Sequence, residues 1–217
     1  MTETEDKRVI SLLSGGLDSP VSTYLMMKRG YDITAISLVT AEDPEELNKK
    51  KILGLGKVLT DLTNRKIRLY YIKYTAIQSQ FVEKAERKLT CLLCKRLMLR
   101  LAQEIAKRNG IKFIINGDIL GEQASQTLDN LYVVQRVISD VLVIRPLIGY
   151  DKLEVIRIAQ KIGTYDVCSM KSPGCDKNPQ YPETHAKLKD LIKAESNFNF
   201  EPIIEKLIES AEIINIP

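Results

Sequence analysis

The strongest architectural signal in this 217-residue chain is an alternation of short apolar runs with stretches of helical spacing. The apolar runs lie at residues 9–13, 33–39, 67–72, 113–115 and 141–144. Each has the length of a strand, and the first is closed by Ser14-Gly15-Gly16, as expected of a buried strand meeting a turn. Helical spacing starts at Pro20, places Val21, Tyr24, Leu25 and Lys28 on related faces, and stops at Gly30. A second helix, rich in Leu and Lys, is expected over 45–64. A third, over about 94–109, carries Met98, Leu101, Ala102 and Ile105 at three-to-four spacing before Gly110. Asp151 with Glu154 forms a D-x-x-E capping pattern that opens a helix to Ile162, stopped by Gly163. Such alternation predicts an α/β fold in which helices cover both faces of a parallel sheet. With right-handed crossovers, a doubly wound, five-stranded, mainly parallel sheet is the leading topology. Ligands in such sheets bind beyond the carboxyl ends of the strands, near the switch point.

Residues 164–183 contain Pro173, Gly174, Pro179 and Pro182 and read as an irregular segment, followed by a C-terminal helix expected over 201–214. No internal repeat or low-complexity tract is found. The expected organisation is therefore one domain over 1–217, with the irregular Cys/Pro segment at 164–183 and a helical tail at 184–217. No apolar run approaches the ~18–20 residues of a membrane span, and the polar, acidic start MTETEDKR lacks the apolar core of a secretory signal. Four cysteines are too few for a disulfide scaffold, which points to free thiols or metal ligands in a reducing cytoplasm. A net charge of +4 mildly favours an anionic partner. Absence of Trp and 6% aromatic content offer no obvious stacking platform for single strands.

Ser14-Gly15-Gly16-Leu17-Asp18-Ser19-Pro20 joins the first strand to its helix. Two glycines permit backbone angles closed to other residues and expose amides to a ligand. Ser14 and Ser19 add hydroxyl donors, and Pro20 suits a first helical turn. A helix start of this kind attracts phosphate through its unpaired N–H groups and dipole. Asp18 does not fit a bare phosphate; a carboxylate beside polyphosphate makes sense when Mg²⁺ bridges the two. The string is not the G-x-x-x-x-G-K-[ST] loop of kinases and GTPases, and it resembles the pyrophosphate (PP) loop of ATP pyrophosphatases.

Three more strings narrow the resemblance: Cys91 to Leu101 (CLLCKRLMLRL), Asn116 to Leu131 (NGDILGEQASQTLDNL) and Arg145 to Lys152 (RPLIGYDK). With the loop, and in this order and spacing, they resemble the tRNA 4-thiouridine synthetase (tRNA uracil 4-sulfurtransferase) family from about residue 8 to the C-terminus. The resemblance implies adenylation of a tRNA uridine at its 4-oxygen, with ATP and Mg²⁺, followed by replacement of that oxygen with sulfur. It also implies backbone contacts to adenine and ribose at Leu12, Leu13, Ser37 and Leu38. Further ATP contacts are implied at Lys95, Gly117 and Gln126, with Ser14, Gly15, Gly16, Asp18 and Ser19 forming the phosphate loop. Asp18 is implied as the magnesium-linked carboxylate, Lys152 as the cation on the phosphates or transition state, and Cys175 as the essential cysteine. Residue chemistry supports three of these. Lys95 is expected to open a helix and Lys152 sits in the first turn of another, where a cation opposes the dipole unless an anion is bound. Gly117 follows the fourth strand, where a small residue lets a ligand come close.

The sequence departs from the family. The usual N-terminal RNA-binding (THUMP) region has no room before the first strand, and the rhodanese domain of some bacterial members is missing. Gly117-Asp118 replaces a usual Gly-Glu, and Glu122 a usual Gln. A separate THUMP-type RNA-binding protein, a dimer partner, or a different substrate would account for the first departure.

Cys91-Leu92-Leu93-Cys94 is a C-x-x-C at or near a helix start, suited to a metal, an iron–sulfur cluster or a redox dithiol. Zinc normally takes four ligands, and no second C-x-x-C exists. If the irregular segment folds over the ligand edge of the sheet, Cys175 meets the pair. A branch resembling archaeal family members holds an iron–sulfur cluster on a C-x-x-C plus one downstream Cys, which implies Cys91, Cys94 and Cys175 as ligands. The other readings keep Cys175 as a persulfide-forming nucleophile or resolving thiol, or the cysteines as a zinc site or core residues; Cys168 is read as structural. His185, the only histidine, suits a surface or capping role. Lys49-Lys50-Lys51 and the basic cluster over 84–100 are either a solvated face or an RNA-backbone contact.

These readings converge on an ATP-dependent tRNA sulfurtransferase, supplied with sulfur by sulfide or a cysteine desulfurase, cytoplasmic, homodimeric and not membrane-bound. The alternatives are the same adenylation on another nucleobase or small metabolite, or an ATP- or cluster-binding subunit of a two-protein thiolation complex.

Overall fold

A computed structural model describes residues 7–40, 42–43 and 45–217. The first six residues, where the polar start argues against a secretory signal, lie outside them. The chain runs β1 (Arg8–Leu12), α1 (Asp18–Lys28), β2 (Asp32–Val39), α2 (Leu47–Thr63), β3 (Ile67–Lys73), α3 (Thr75–Lys84) and α4 (Thr90–Asn109). It continues through β4 (Phe113–Ile115), α5 (Leu128–Gln135), β5 (Leu142–Ile144), α6 (Lys152–Lys161), α7 (Thr164–Cys168), α8 (Leu188–Glu195), α9 (Phe200–Glu209) and β6 (Glu212–Ile216).

The sheet order is β5-β4-β1-β2-β3-β6. All five expected strands are present and parallel, in registers such as Ile10 opposite Thr34 on β2 and Ile114 on β4. Their side chains alternate between two cores, which is why the runs are apolar throughout. On one face Ile10, Ile36, Tyr70 and Ile72 pack against Leu93, Leu97, Leu101 and Ile105 of α4. On the other, Val9, Ile33, Ala35, Leu69 and Tyr71 pack against Met26, Met27, Ile52 and Leu59 of α1 and α2.

The sixth strand corrects the expected C-terminal helix over 201–214. The helix α9 ends at Glu209, and residues 212–216 pair antiparallel with β3, Leu69 opposite Ile214 and Tyr71 opposite Glu212. The sequence Glu-Ile-Ile-Asn-Ile favours this pairing: β-branched side chains suit a pleated surface, and the open edge of β3 needs a partner for its N–H and C=O groups. Ile214 and Ile216 join the second core while Ile213 faces solvent, the period of a strand. The segment at 164–183 opens with a helix, α7, before turning irregular; α3 is a further helix between β3 and α4. The capping box at α6 forms as expected, Asp151 Oδ1 accepting from Glu154 N at 2.8 Å and Asp151 N donating to Glu154 Oε2 at 2.9 Å. Gly30, Gly110 and Gly163 end their helices with φ of 90°, 62° and 74°, angles that favour glycine. No helix among the described residues is long and apolar enough to cross a membrane.

After β1 the chain builds outward through β2 and β3, then returns to build β4 and β5 on the other side. The carboxyl ends of β1 and β4 therefore form the switch point, and the loop after β1 lies there.

Candidate functional site

The loop after β1 is tied together by its own hydroxyls. Ser14 N donates to Ser19 Oγ at 2.8 Å, the two hydroxyls are 2.9 Å apart, and Gly16 N donates to Ser14 Oγ at 3.3 Å. Neither glycine of the loop takes a positive φ, so the special backbone angles that glycine permits are not used here. What they leave is space: a Cβ on Gly15 would lie 3.2 Å from Lys51 Cδ.

Gly117 lines the cavity beside the loop and is also close to backbone. A Cβ there would lie 2.6 Å from the Ser19 amide nitrogen and 2.8 Å from the Asp18 carbonyl carbon, so the backbone at the start of α1 also needs a glycine here. Gly117 thus sets the distance between the end of β4 and the loop.

Beside the loop a cavity of about 240 Å³ is walled by Leu12, Ser14, Gly16, Asp18 and Ser19 on one side and by Lys95, Met98, Leu99, Asn116, Gly117 and Gln126 on the other. Lys152, the first residue of α6, reaches across to Asp18 with Nζ 2.7 Å from Oδ1, a contact between positions 134 apart in sequence. Glu122 lies 3.6 Å from the same ammonium.

Asp118 is the hub of the cavity wall. Lys95 Nζ donates to it at 2.9 Å, Asn116 Nδ2 at 2.6 Å, Gln126 Nε2 at 3.2 Å and Arg145 Nε at 3.4 Å. Burial pushes its carboxyl up, but the Lys95 ammonium and the Arg145 guanidinium outweigh that and hold it below the usual carboxylate range. Lys95 is the sixth residue of α4, not its opening residue, so its charge answers Asp118 rather than a helix end. Gln126 Oε1 and Arg145 Nη2 are buried without a hydrogen-bond partner, and Gln126 also lines the cavity. A buried acceptor left open is unfavourable until something fills it.

Of the other residues singled out in the sequence, Leu13, Gly15, Ser37 and Leu38 are outside the cavity lining. Leu13 N already donates to Ile36 O at 2.9 Å, so its amide is engaged within the sheet.

Of the three cysteines of interest, Cys175 lies near enough to Cys91 and Cys94 to act on both. Gln78 Nε2 donates to Cys175 Sγ at 3.0 Å, and Cys91 Sγ donates to Asn178 Oδ1 at 3.7 Å. Burial pushes the Cys94 thiol up to about 12 against the effect of the Tyr74 hydroxyl beside it, with Cys175 and Cys91 adding to the rise. Burial and the neighbouring Cys175 raise Cys91 as well. The irregular segment thus brings Cys175 to the C-x-x-C, but among the described residues no three His, Cys, Asp or Glu side chains are arranged to hold a metal ion. Cys91, Cys94 and Cys175 are free thiols, and their arrangement here does not make a ligand set. The fourth cysteine, Cys168, donates its S–H to Gly16 O at 3.3 Å, and burial pushes it up to about 11. His185 is exposed and pairs with Asp129 at 2.8 Å.

Sequence reasoning misses Asp118 as a hub, Arg145, Asn116 and Gln78. The first three lie immediately beyond β4 or β5, where the switch-point rule could have flagged them. Nothing in the sequence marks Gln78, which reaches Cys175 from α3 across 97 positions.

The chain is similar in sequence and fold to known proteins. A probable tRNA sulfurtransferase from Caldanaerobacter subterraneus subsp. tengcongensis is 39% identical over 94% of this chain and 53% of its own length. One from Methanosarcina mazei is 36% identical over 98% of this chain and 52% of its own. The chain therefore spans about half the length of the curated relatives it matches. The crystal structure of a 4-thiouridine synthetase–RNA complex with bound ATP superposes with a TM-score of 0.91 at 29% identity, over 97% of this chain and 55% of that one. An NMN synthetase from Francisella tularensis shares the fold alone, with a TM-score of 0.56 at 17% identity. The family described as thiamine biosynthesis protein (ThiI) matches residues 4–200, and with the loop, the cavity and the thiols in the places described, the chain belongs to that family.

Proposed function

We propose that this chain is the adenylating and sulfur-transferring part of a tRNA uracil 4-sulfurtransferase. The observation that carries the reading is the meeting of Lys152 with Asp18, a residue of the cavity wall, 2.7 Å apart. A carboxylate and an ammonium beside a glycine loop at a helix start are what a metal–polyphosphate needs. Without the nucleotide they neutralise each other.

In this reading Ser14, Gly15, Gly16, Asp18 and Ser19 cradle the phosphates, and backbone at Leu12, Leu13, Ser37 and Leu38 borders the adenine and ribose. Gln126 offers its open Oε1 to the bound nucleotide, and Lys95 and Gly117 shape the wall through Asp118 and the α1 backbone. Asp18 suits Mg²⁺ carried on the phosphates, a hard ion that takes carboxylate oxygen and offsets charge during transfer. Lys152 leaves Asp18 to hold the phosphoryl oxygens as the uridine 4-oxygen attacks the α-phosphorus and pyrophosphate departs. The uracil carbon then carries AMP, a far better leaving group than oxide.

Cys175 supplies the sulfur. As a persulfide whose outer sulfur is passed from the persulfide of a cysteine desulfurase to the Cys175 thiol, it attacks the activated carbon through that outer sulfur and AMP leaves; where sulfide is the donor, it attacks the activated carbon directly and AMP leaves. A thiol of the pair, Cys91 being the more accessible, then attacks the Cys175 sulfur, releasing 4-thiouridine and leaving a disulfide that an external reductant restores. The iron–sulfur cluster implied by the resemblance is given no step, since the three thiols are not arranged as ligands. The reading extends to a single cytoplasmic domain that meets its tRNA through a THUMP-type region or partner and works as a homodimer.

Thiolation and ATP–pyrophosphate exchange, measured separately, test the proposal. Asp18→Ala and Lys152→Ala are expected to abolish both, and Cys175→Ala to abolish thiolation while exchange continues. Full thiolation by Cys175→Ala would remove the sulfur-transfer assignment, and normal exchange by Asp18→Ala the adenylation site.

A further inference from the structure

Lys51, on α2, is a buried lysine with too few partners. Its exposure is 8%, and no other lysine among the described residues is buried. Its Nζ donates to Met170 O at 3.0 Å, the single hydrogen bond it makes, and no carboxylate pairs with it among the described residues. An ammonium has three donors, and a buried charge facing only a neutral carbonyl is costly. The side chain lies along the glycine loop, its Cδ 3.2 Å and its Cε 3.5 Å from where a Gly15 Cβ would stand. Cys168, close enough to Lys51 to feel its charge, donates to Gly16 O of the same loop.

We propose that Lys51 is a second cation of the glycine loop, holding the diphosphate of the nucleotide that departs as pyrophosphate and acting from the α2 side while Lys152 acts from α6. This rests on the phosphate loop proposed above. A diphosphate supplies the counter-charge that Lys51 lacks, and the glycine at position 15 is the opening through which the ammonium reaches it. The same side chain ties down the segment leading to Cys175, together with Asn48, whose Nδ2 donates to Pro173 O at 3.2 Å. Departure of the diphosphate therefore returns Lys51 fully to Met170.

Calorimetric titration with inorganic pyrophosphate and with AMP, on wild type, Lys51→Met, Lys51→Gln and Lys51→Arg, tests this. Loss of one charge-assisted contact is expected to weaken pyrophosphate about 10–100-fold in Lys51→Met and Lys51→Gln. AMP should change by less than about threefold, and Lys51→Arg should recover most of the pyrophosphate affinity. Equal pyrophosphate affinity in wild type and the neutral variants overturns the role of Lys51 and leaves the loop assignment standing. A wild-type chain that binds neither pyrophosphate nor AMP overturns the loop assignment and the Lys51 role with it. In the wild-type chain, pyrophosphate should also protect Lys51 from acylation as mapped by mass spectrometry; identical labelling with and without it overturns the proposal whether or not the neutral variants fold.

Discussion

A methyl group on residue 117 would be built 2.6 Å from the Ser19 amide nitrogen, inside any real carbon–nitrogen contact and against backbone that cannot swing aside. Gly117→Ala is therefore expected to push α1 away from β4 at a cost of about 1–3 kcal/mol, read as a lowered urea midpoint. It should weaken ATP binding too, because the displaced backbone is that of Asp18 and Ser19. One residue further, Asp118 makes a different prediction. Its folded-state carboxyl is held down by Lys95 and Arg145 against burial, so its contribution to stability is complete above the unfolded carboxylate range near ~4. That contribution is lost as pH falls through the depressed folded value. Lys95→Met should shrink the stability gap between neutral and acid pH and lower neutral-pH stability by about 1–3 kcal/mol, since Arg145 still answers part of the charge. Acid unfolding curves of wild type and variant, superimposing after a simple vertical shift, would contradict this. Asp18 and Lys152 are legible in the sequence because each stands in a string whose chemistry is local. The Asp118 network is not, because its two cations, Lys95 and Arg145, reach it from 23 and 27 positions away and only the fold brings them there.

Among the elements, α4 carries the most. It supplies the central strip of one core, brings Lys95 to the cavity and Cys91 and Cys94 to Cys175, and anchors α8 through a buried ion pair. Arg96 donates to both carboxylate oxygens of Glu195, at 2.7 and 2.6 Å, and to Val133 O, while Arg100 adds a contact at 3.0 Å. Removing one partner of a buried pair strands the other. Glu195→Ala is expected to destabilise the fold by about 3–5 kcal/mol, whereas Arg96→Met combined with Glu195→Met should lose less than the two single changes together. A double-mutant cycle in urea measures this, and additivity would show the pair to be energetically uncoupled. The five parallel strands and the capped α6 are legible because burial on both faces and a local capping box each leave a mark in consecutive residues. The sixth strand is not. Ile203, Ile204, Leu207 and Ile208 establish a helical period that overlaps Ile213 and Ile214, and only the open edge of β3, a non-local fact, decides that residues 212–216 extend. The helix α3 escapes notice for want of a strong apolar stripe; only Gln78 and Phe81 are buried along it.

For the molecule as a whole, the candidate site is drawn from both halves of the chain, from the loop after β1 and from α4, the end of β4 and α6. No subset of these elements offers the same set of donors, so a nucleotide bound there favours only the closed sheet with its helices docked. Ligand linkage then predicts a global effect: at a free concentration 100 times its dissociation constant, Mg-ATP should raise unfolding free energy by about 2.7 kcal/mol. The gain should survive in Cys175→Ala, whose thiol lies beyond the cavity. It should vanish in Asp18→Ala at the same ligand concentration, because the metal-bound phosphates lose their carboxylate. It should also fall as salt rises, since lysines supply much of the attraction. Calorimetric melts of the three proteins with and without Mg-ATP decide the matter. A gain that persists undiminished in Asp18→Ala would place the nucleotide away from the loop. A gain lost in Cys175→Ala would mean that the thiol segment closes over the nucleotide and that the adenylation and sulfur-transfer sites are one compartment rather than two neighbours.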